Sequence, residues 1–193
     1  MKLIAYESLT ATPWKNGGGI TRELACYPVG ASMHDFIWRV SIADVNSSGP
    51  FSNFPEIDRV ITLLDGDGMQ LRFENGKQHT LVEKLHPFIF RGEDKVDAQL
   101  AGSPSRDFNL MTRRNVAYGK VEVRRTAGVI DQGLSTLLLF CVCGQWQIST
   151  AEHSLQQGDT LIIDAPECDT IVTPQNTDSA LLCVRITMGS GHQ

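Results

Sequence analysis

Several features that would assign a chain quickly are missing here. No run of Lys and Arg is present, and the balance is acidic, with 17 basic against 22 acidic side chains and a net charge of −5 before histidine. A nucleic-acid surface needs a clustered basic face, so that class of partner is excluded. The longest strictly apolar run, Leu137 to Cys143, is far short of the ~20 residues that cross a bilayer as a helix. The first residues carry Glu7 and no apolar stretch before a small-residue cleavage site, so no signal peptide is read and a cytoplasmic location is expected. The cysteines (Cys26, Cys141, Cys143, Cys168 and Cys183) are odd in number and contain no CxxC pair. Reduced thiols are expected, with Cys141 and Cys143 as small buried side chains sharing one strand face.

Metal and nucleophile signatures are also absent. A metal on neighbouring strands would need two or three His, or His plus carboxylate, projecting into one cavity. His34, His79, His86, His153 and His192 include no HxH pair; His79 and His153 sit in polar, loop-like segments, and His86 stands at a strand entrance. Scattered surface histidines are therefore expected, and neither a bound metal nor a cofactor. No GxSxG elbow is present, and no Cys stands in an electropositive setting, so no catalytic nucleophile is assigned.

What is present is a succession of short strands broken by Gly, Asp and Pro. With 41% apolar and 20% charged residues, a chain of 193 can bury a sizeable core without staples. Phe36 to Val45 alternates, with Trp38, Val40 and Ile42 on one face and Arg39, Ser41 and Ala43 on the other. Val60 to Leu64, the turn Asp65-Gly66-Asp67-Gly68 and Met69 to Phe73 predict a hairpin. Leu137 to Cys143, Gly144-Gln145 and Trp146 to Ile148 repeat that arrangement. No long apolar stripe runs at helical spacing, and the fold class is all-β.

The two halves share an order of elements. Gly66 is followed by Pro87 to Phe90 and then Phe108 to Met111; Gly144 is followed by Gly158 to Ile163 and then Ala180 to Val184. A duplicated unit is expected, with a boundary near Arg113 to Lys120 and a loose tail from Gly189 to Gln193. Two small sandwiches or barrels would cover most strand edges.

Candidate chemistry gathers in the first half. Gly17-Gly18-Gly19 implies a tight bend or a close approach to another backbone or a ligand, and Trp14, Asn16, Thr21 and Glu23 surround it. Arg39 shares a strand face with the small Ser41 and Ala43, and Arg59 opens a strand just after Phe51-Ser52-Asn53-Phe54-Pro55. Asp107 and Asn109 point to the same side of another strand. Polar side chains on an inward face must pair or line a wet cavity. A structural salt bridge of Arg39 or Arg59 with Asp107 or Glu23 would account for some of them; all of them together read as a pocket. One arginine is expected to clamp a carboxylate and the other to pair with Asp107 or Glu23.

At these residues the chain resembles a known family. W-K-N-G-G-G-I-T-R-E at 14–23, W-R-V-S-I-A-D-V at 38–45, G-P-F-S-N-F-P at 49–55, D-R-V-I-T-L-L-D-G at 58–66 and D-F-N-L-M-T-R at 107–113 resemble the HutD/Ves family. The blocks stand in the family's order over most of residues 12–113, while the second half matches only in general strand arrangement. The resemblance implies a double cupin, or bicupin, without the usual metal ligands, here divided as units 1–115 and 116–193. It implies a link to bacterial histidine utilisation in the HutD branch, as a regulator or moderator, and to a cold response in the Ves branch. The WKNGGG form looks more like HutD. The positions matching the family's pocket are Asn16, Thr21, Glu23, Arg39, Arg59, Asp107 and Asn109. With Trp14, Ser41 and Phe51 these make the expected binding set for a small carboxylate, with urocanate ranked ahead of formylglutamate. Two other readings are an enzyme using Glu23 or Asp107 as general acid or base, and a protein-interaction module. A homodimer is compatible with the sequence and not required by it.

Overall fold

The computed structural model describes residues 1–131, 133, 135–151, 154–164 and 169–189; His153, Cys168, His192 and the tail beyond residue 189 lie outside the described residues. The chain is built from strands: β1 (Lys2–Ile4), β2 (Ala11–Pro13), β3 (Gly19–Tyr27), β4 (Trp38–Val45), β5 (Gly49–Pro50), β6 (Ile57–Asp65), β7 (Met69–Phe73), β8 (Gln78–Leu81) and β9 (Phe88–Arg91). There follow β10 (Val96–Leu100), β11 (Ser105–Arg113), β12 (Ala117–Arg124), β13 (Gly128–Ile130), β14 (Thr136–Cys143), β15 (Trp146–Ile148), β16 (Thr160–Ile163), β17 (Thr170–Pro174) and β18 (Ala180–Met188). The fold is all-β, a double cupin.

Two compact units form, Thr10–Ala117 and Met1–Leu9 with Tyr118–Gln193. The division at 115/116 expected from the sequence thus misplaces the first nine residues. Lys2, Leu3 and Ile4 pair antiparallel with Ile162, Leu161 and Thr160, so β1 caps β16 in the unit formed otherwise by the C-terminal half. A three-residue strand carries no sign of so distant a partner.

In the first unit, Thr10–Ala117, a six-stranded sheet (β2-β3-β4-β11-β6-β9) and a four-stranded sheet (β5-β10-β7-β8) enclose a core of Val45, Ile61, Leu63, Met69, Leu71, Leu81, Phe90, Val96 and Ala98. In the second, the sheets are β1-β16-β14-β18-β12 and β13-β17-β15, around Leu137, Leu139, Cys141, Trp146, Leu161, Leu181, Cys183 and their neighbours. The strand orders correspond: β4-β11-β6-β9 matches β12-β18-β14-β16, and β5-β10-β7 matches β13-β17-β15. Both units also slip register at a corresponding place, between Arg106 and Asp107 in one and between Cys141 and Cys143 in the other, and the first unit slips again between Glu23 and Ala25. The duplication is therefore one of topology. At its bulge Cys143 leaves the buried face, and its thiol donates to the Asp178 carbonyl at 2.9 Å, so the expected buried Cys pair is a single buried Cys141.

Neither glycine turn makes a hairpin. The turn after β6 carries the chain from the six-stranded to the four-stranded sheet, and the turn after β14 also changes sheets. A positive φ specifies a reversal, not a partner; both sides of β6 are taken by β11 and β9, and both sides of β7 by β10 and β8. Gly66 has φ +90°, and a Cβ on it would stand 2.3 Å from the Pro104 carbonyl oxygen, at the start of β11. Gly144, its counterpart, has φ +74° and faces Ser179 at the start of β18.

Gly66→Ala is accordingly expected to destabilise by more than about 2 kcal/mol, since strain and a backbone clash add. Gly30→Ala, at φ +78° with open space around it, meets only the conformational term of about 1 kcal/mol. Thermal denaturation of both variants checks the order; equal losses would show that the close approach to β11 is not rigid.

Candidate functional site

Antiparallel pairing sorts the inward side chains of the six-stranded sheet into rows. One row runs Thr21–Ala43–Asp107–Leu63, the next Glu23–Ser41–Asn109–Ile61, and the third Cys26–Arg39–Met111–Arg59–Phe90. Rows two residues apart lie ~7 Å from one another along the strands. Period-two alternation alone therefore brings Thr21, Glu23, Arg39, Ser41, Arg59, Asp107 and Asn109 onto a single face. Arg22 points the other way, where it and Arg106 share the Asp44 carboxylate.

Arg59 lies deepest, 6% exposed. Its guanidinium carbon stands 4.8 Å from the centre of the Phe90 ring, 5.3 Å from that of Phe51 and 5.7 Å from that of Phe54. These rings attract the cation through their negative faces and exclude water from it. Its Nη2 donates to Asn109 Oδ1 at 2.9 Å, while its buried Nε has no partner. The Asn109 amide in turn donates to Asp107 Oδ1 in a short hydrogen bond. Cation and acid are thus joined through a neutral amide. Burial pulls the Arg59 pKa down to about 10, opposed by Asp107 and reinforced by Arg39, so the group stays charged at neutral pH. Burial pushes the Asp107 pKa up to about 7, against the pull of Arg59 and of the Asn109 bond. At that value the acid changes charge near neutrality.

Arg39 takes the paired role. Its Nε donates to Glu23 Oε2 at 2.8 Å and its Nη1 to Ser41 Oγ at 3.2 Å. The Glu23 side chain is 43% exposed and that of Arg39 11%, so the carboxylate marks the wet rim of the cluster while the guanidinium lies inside it.

The remaining expected residues divide. Thr21 accepts a 2.7 Å hydrogen bond from the Trp14 indole, which packs on the core at the far end of the rows. Asn16 is exposed at the β2–β3 hairpin tip, and its Oδ1 accepts from the Gly18 N–H at 3.0 Å; its amide holds the turn and does not join the Arg59 cluster. The glycines serve the close approach of two backbones, since a Cβ on Gly19 would meet the Asp44 carbonyl at 2.4 Å. Sequence reasoning missed Phe90. Alternation in Phe88-Ile89-Phe90 puts Phe88 and Phe90 on one face, but only the pairing of β9 with β6 sets Phe90 opposite Arg59.

The duplicate supplies an internal control. Aligned on the two register slips, the second unit carries Leu137 where the first has Arg59, Leu181 for Asp107 and Cys183 for Asn109. All three are buried in a plain apolar core. The strand frame therefore needs none of the polar set. Among the described residues no group of three or more His, Cys, Asp or Glu is placed to hold a metal. His79 proves to be in strand β8, its ring stacked on Phe88 at 3.5 Å, and not in a loop; burial and His86 lower its pKa.

The Asp107 shift has a signed consequence. An acid with a folded pKa near 7 and an ordinary unfolded value stabilises the fold least when ionised, so its contribution falls as pH rises from about 4 through 7. Asp107→Asn should gain in melting temperature relative to wild type between pH 5 and pH 8.5, whatever its offset at pH 5. A difference that stays flat across that window would place the Asp107 pKa elsewhere. Arg39→Lys, which keeps a cation beside the 43% exposed Glu23, should shift stability by less than about 1 kcal/mol.

Comparison with known proteins fits this architecture. The HutD family model matches residues 6–182. Protein Ves of Escherichia fergusonii is 39% identical over 164 residues, covering 82% of this chain and 81% of that protein; Protein Ves of Cronobacter sakazakii is 38% identical over 162 residues, covering 82% and 85%. HutD from Pseudomonas fluorescens SBW25 superposes with a TM-score of 0.85 at 31% identity, covering 97% of this chain and 98% of that one. Bacillus subtilis oxalate decarboxylase, an enzyme with Mn(II) centres, shares the fold alone, at 8% identity and a TM-score of 0.61 over 99% of this chain and 78% of its own. With the family's pattern spanning nearly the whole sequence, this chain belongs to the HutD family.

Proposed function

We propose that the protein binds a small carboxylate against Arg59 in its first unit, and that it regulates or moderates bacterial histidine utilisation in the cytoplasm by sensing an intermediate of that pathway. One observation carries the binding reading. A buried arginine with an unpartnered Nε is kept in one of two equivalent frames, and the other frame packs well with leucine in its place. A guanidinium can present two parallel donors to a carboxylate. The family supports the pathway, and intermediates of histidine breakdown all carry a carboxylate.

Urocanate ranks first and formylglutamate second. Urocanate is flat and rigid, so it loses less conformational freedom on binding. Phe51, Phe54 and Phe90 offer ring faces beside the guanidinium. An enzymatic reading is favoured by one feature, the buried Asp107 with a pKa of about 7, which suits a general acid or base acting at neutral pH.

Calorimetric titration with urocanate and formylglutamate tests the proposal. Arg59→Lys should weaken binding at least tenfold, because the two-pronged contact is lost. Arg59→Leu, which copies Leu137, should abolish binding; at pH 5.5, where Asp107 is neutral, it should leave the melting temperature equal or higher, because a buried charge gives way to an apolar side chain without stranding an ionised acid. Undiminished binding by Arg59→Leu would remove Arg59 from the site, and turnover of either compound by purified protein would favour the enzyme. Clear binding of formylglutamate with none of urocanate reverses their order.

A further inference from the structure

Asp107 is 1% exposed, yet among the described residues no cation comes within ion-pair distance of it. Its partner is the neutral Asn109 amide. On its row it is flanked by Ala43 of β4 and Leu63 of β6, with Thr21 beyond on β3. The charged groups around it are few. Arg59 on β6 reaches it through Asn109, and Glu23 on β3 lies one row away, held by Arg39 of β4. Asp44 is on the opposite face of β4, between Arg22 and Arg106. From the four-stranded sheet the facing core is apolar, with Met69, Leu71, Val96 and Ala98, and His79 of β8 stacks away on Phe88.

With Asp107 ionised the charges on this face balance: Arg59 against Asp107, Arg39 against Glu23. A carboxylate seated on Arg59 adds one negative charge in a place with little water, where its repulsion with Asp107 is poorly screened. Glu23 is 43% exposed and already paired with Arg39. Asp107 is buried and, among the described residues, has no direct cation. We propose that a carboxylate seats on Arg59 together with one proton, and that Asp107 is the group that takes it up. A protonated Asp107 also gains an O–H donor, which the ionised form lacks. The inference rests on the reading of Arg59 as the carboxylate seat.

The sign follows from linkage. With a free-state pKa of about 7, Asp107 is already protonated at pH 5.5, and binding there needs no further proton. At pH 8 the free protein has lost it, and binding must recover it. Affinity should then fall by up to about tenfold per pH unit above 7, until the pKa of the occupied site is passed.

Titration calorimetry at pH 8 in two buffers of different ionisation enthalpy counts the protons, with formylglutamate and urocanate as probes. Formylglutamate has no group of its own titrating near neutrality; for urocanate, subtracting the count in Asp107→Asn removes the ring's contribution. Wild type should take up close to one more proton per ligand than Asp107→Asn at pH 8, and the excess should vanish at pH 5.5. Binding with equal proton counts in the two proteins overturns the proposal and leaves the carboxylate seat standing, whereas binding of neither probe to wild type overturns both. Infrared difference spectra of wild type at pH 8 give a test independent of the variant's folding. A protonated carboxylic acid band should grow in with ligand, and binding without that band also overturns the proposal.

Discussion

The first unit is organised around keeping one guanidinium out of water. Arg59 is almost fully buried, walled by three phenyl rings and hydrogen-bonded by a single amide oxygen. Removing such a charge from water is unfavourable by several kcal/mol even after relaxation, and one neutral hydrogen bond with ring-face attraction offsets only part of that. The usual remedy, a carboxylate in direct contact, is withheld. Asp107 stands one amide away, and Asn109 uses its oxygen for the cation and its nitrogen for the acid. This spacing leaves an Arg59 donor unused, and it leaves Asp107 with too little positive potential to hold its pKa down.

Arg39 shows what a settled arginine looks like in the same sheet. It lies in the same row, two strands across, with Glu23 on its Nε and Ser41 on its Nη1. Its acid partner is 43% exposed, so the carboxylate keeps water while it pairs with the largely buried Arg39. The two arginines are both largely buried and differ in their partners: Arg39 meets a carboxylate that reaches solvent, while Arg59 meets an amide and the rings of Phe51, Phe54 and Phe90.

Much of this was legible from local pattern. The alternation Arg39-Val40-Ser41-Ile42-Ala43 and the parity of Asp107 with Asn109 put the right side chains on one face, since a strand has only two faces to choose from. Partnership was not legible. The Asp-Gly turn specifies a reversal and predicts a hairpin, yet β6 and β7 separate into different sheets because β11 and β9 claim the edges of β6 and β10 and β8 those of β7. Phe90 escaped notice for the same reason, as its relation to Arg59 exists only through β9–β6 pairing. Asn16 failed differently: an Asn beside a positive-φ glycine has a backbone N–H within its own reach, and the local bond to Gly18 took the amide. β1 was assigned to the wrong unit because three residues carry too little pattern to name a partner.

The duplication turns these observations into an argument about role. Two copies of one strand order, with the same sheet-changing turn and the same register slip, have been filled in opposite ways. The second unit holds Leu137, Leu181 and Cys183 in a dry core, which is what stability by burial favours. The first holds Arg59, Asp107 and Asn109 at the same three places, against that preference. A cupin frame that also serves an oxalate decarboxylase at 8% identity dictates nothing about its inner face. Because the frame accepts leucine where it carries arginine, the fold does not require the polar set, which is what the proposed carboxylate site predicts. The incompletely paired cation and the untethered acid are then two aspects of one arrangement, in which a further anion would complete the electrostatics of the site.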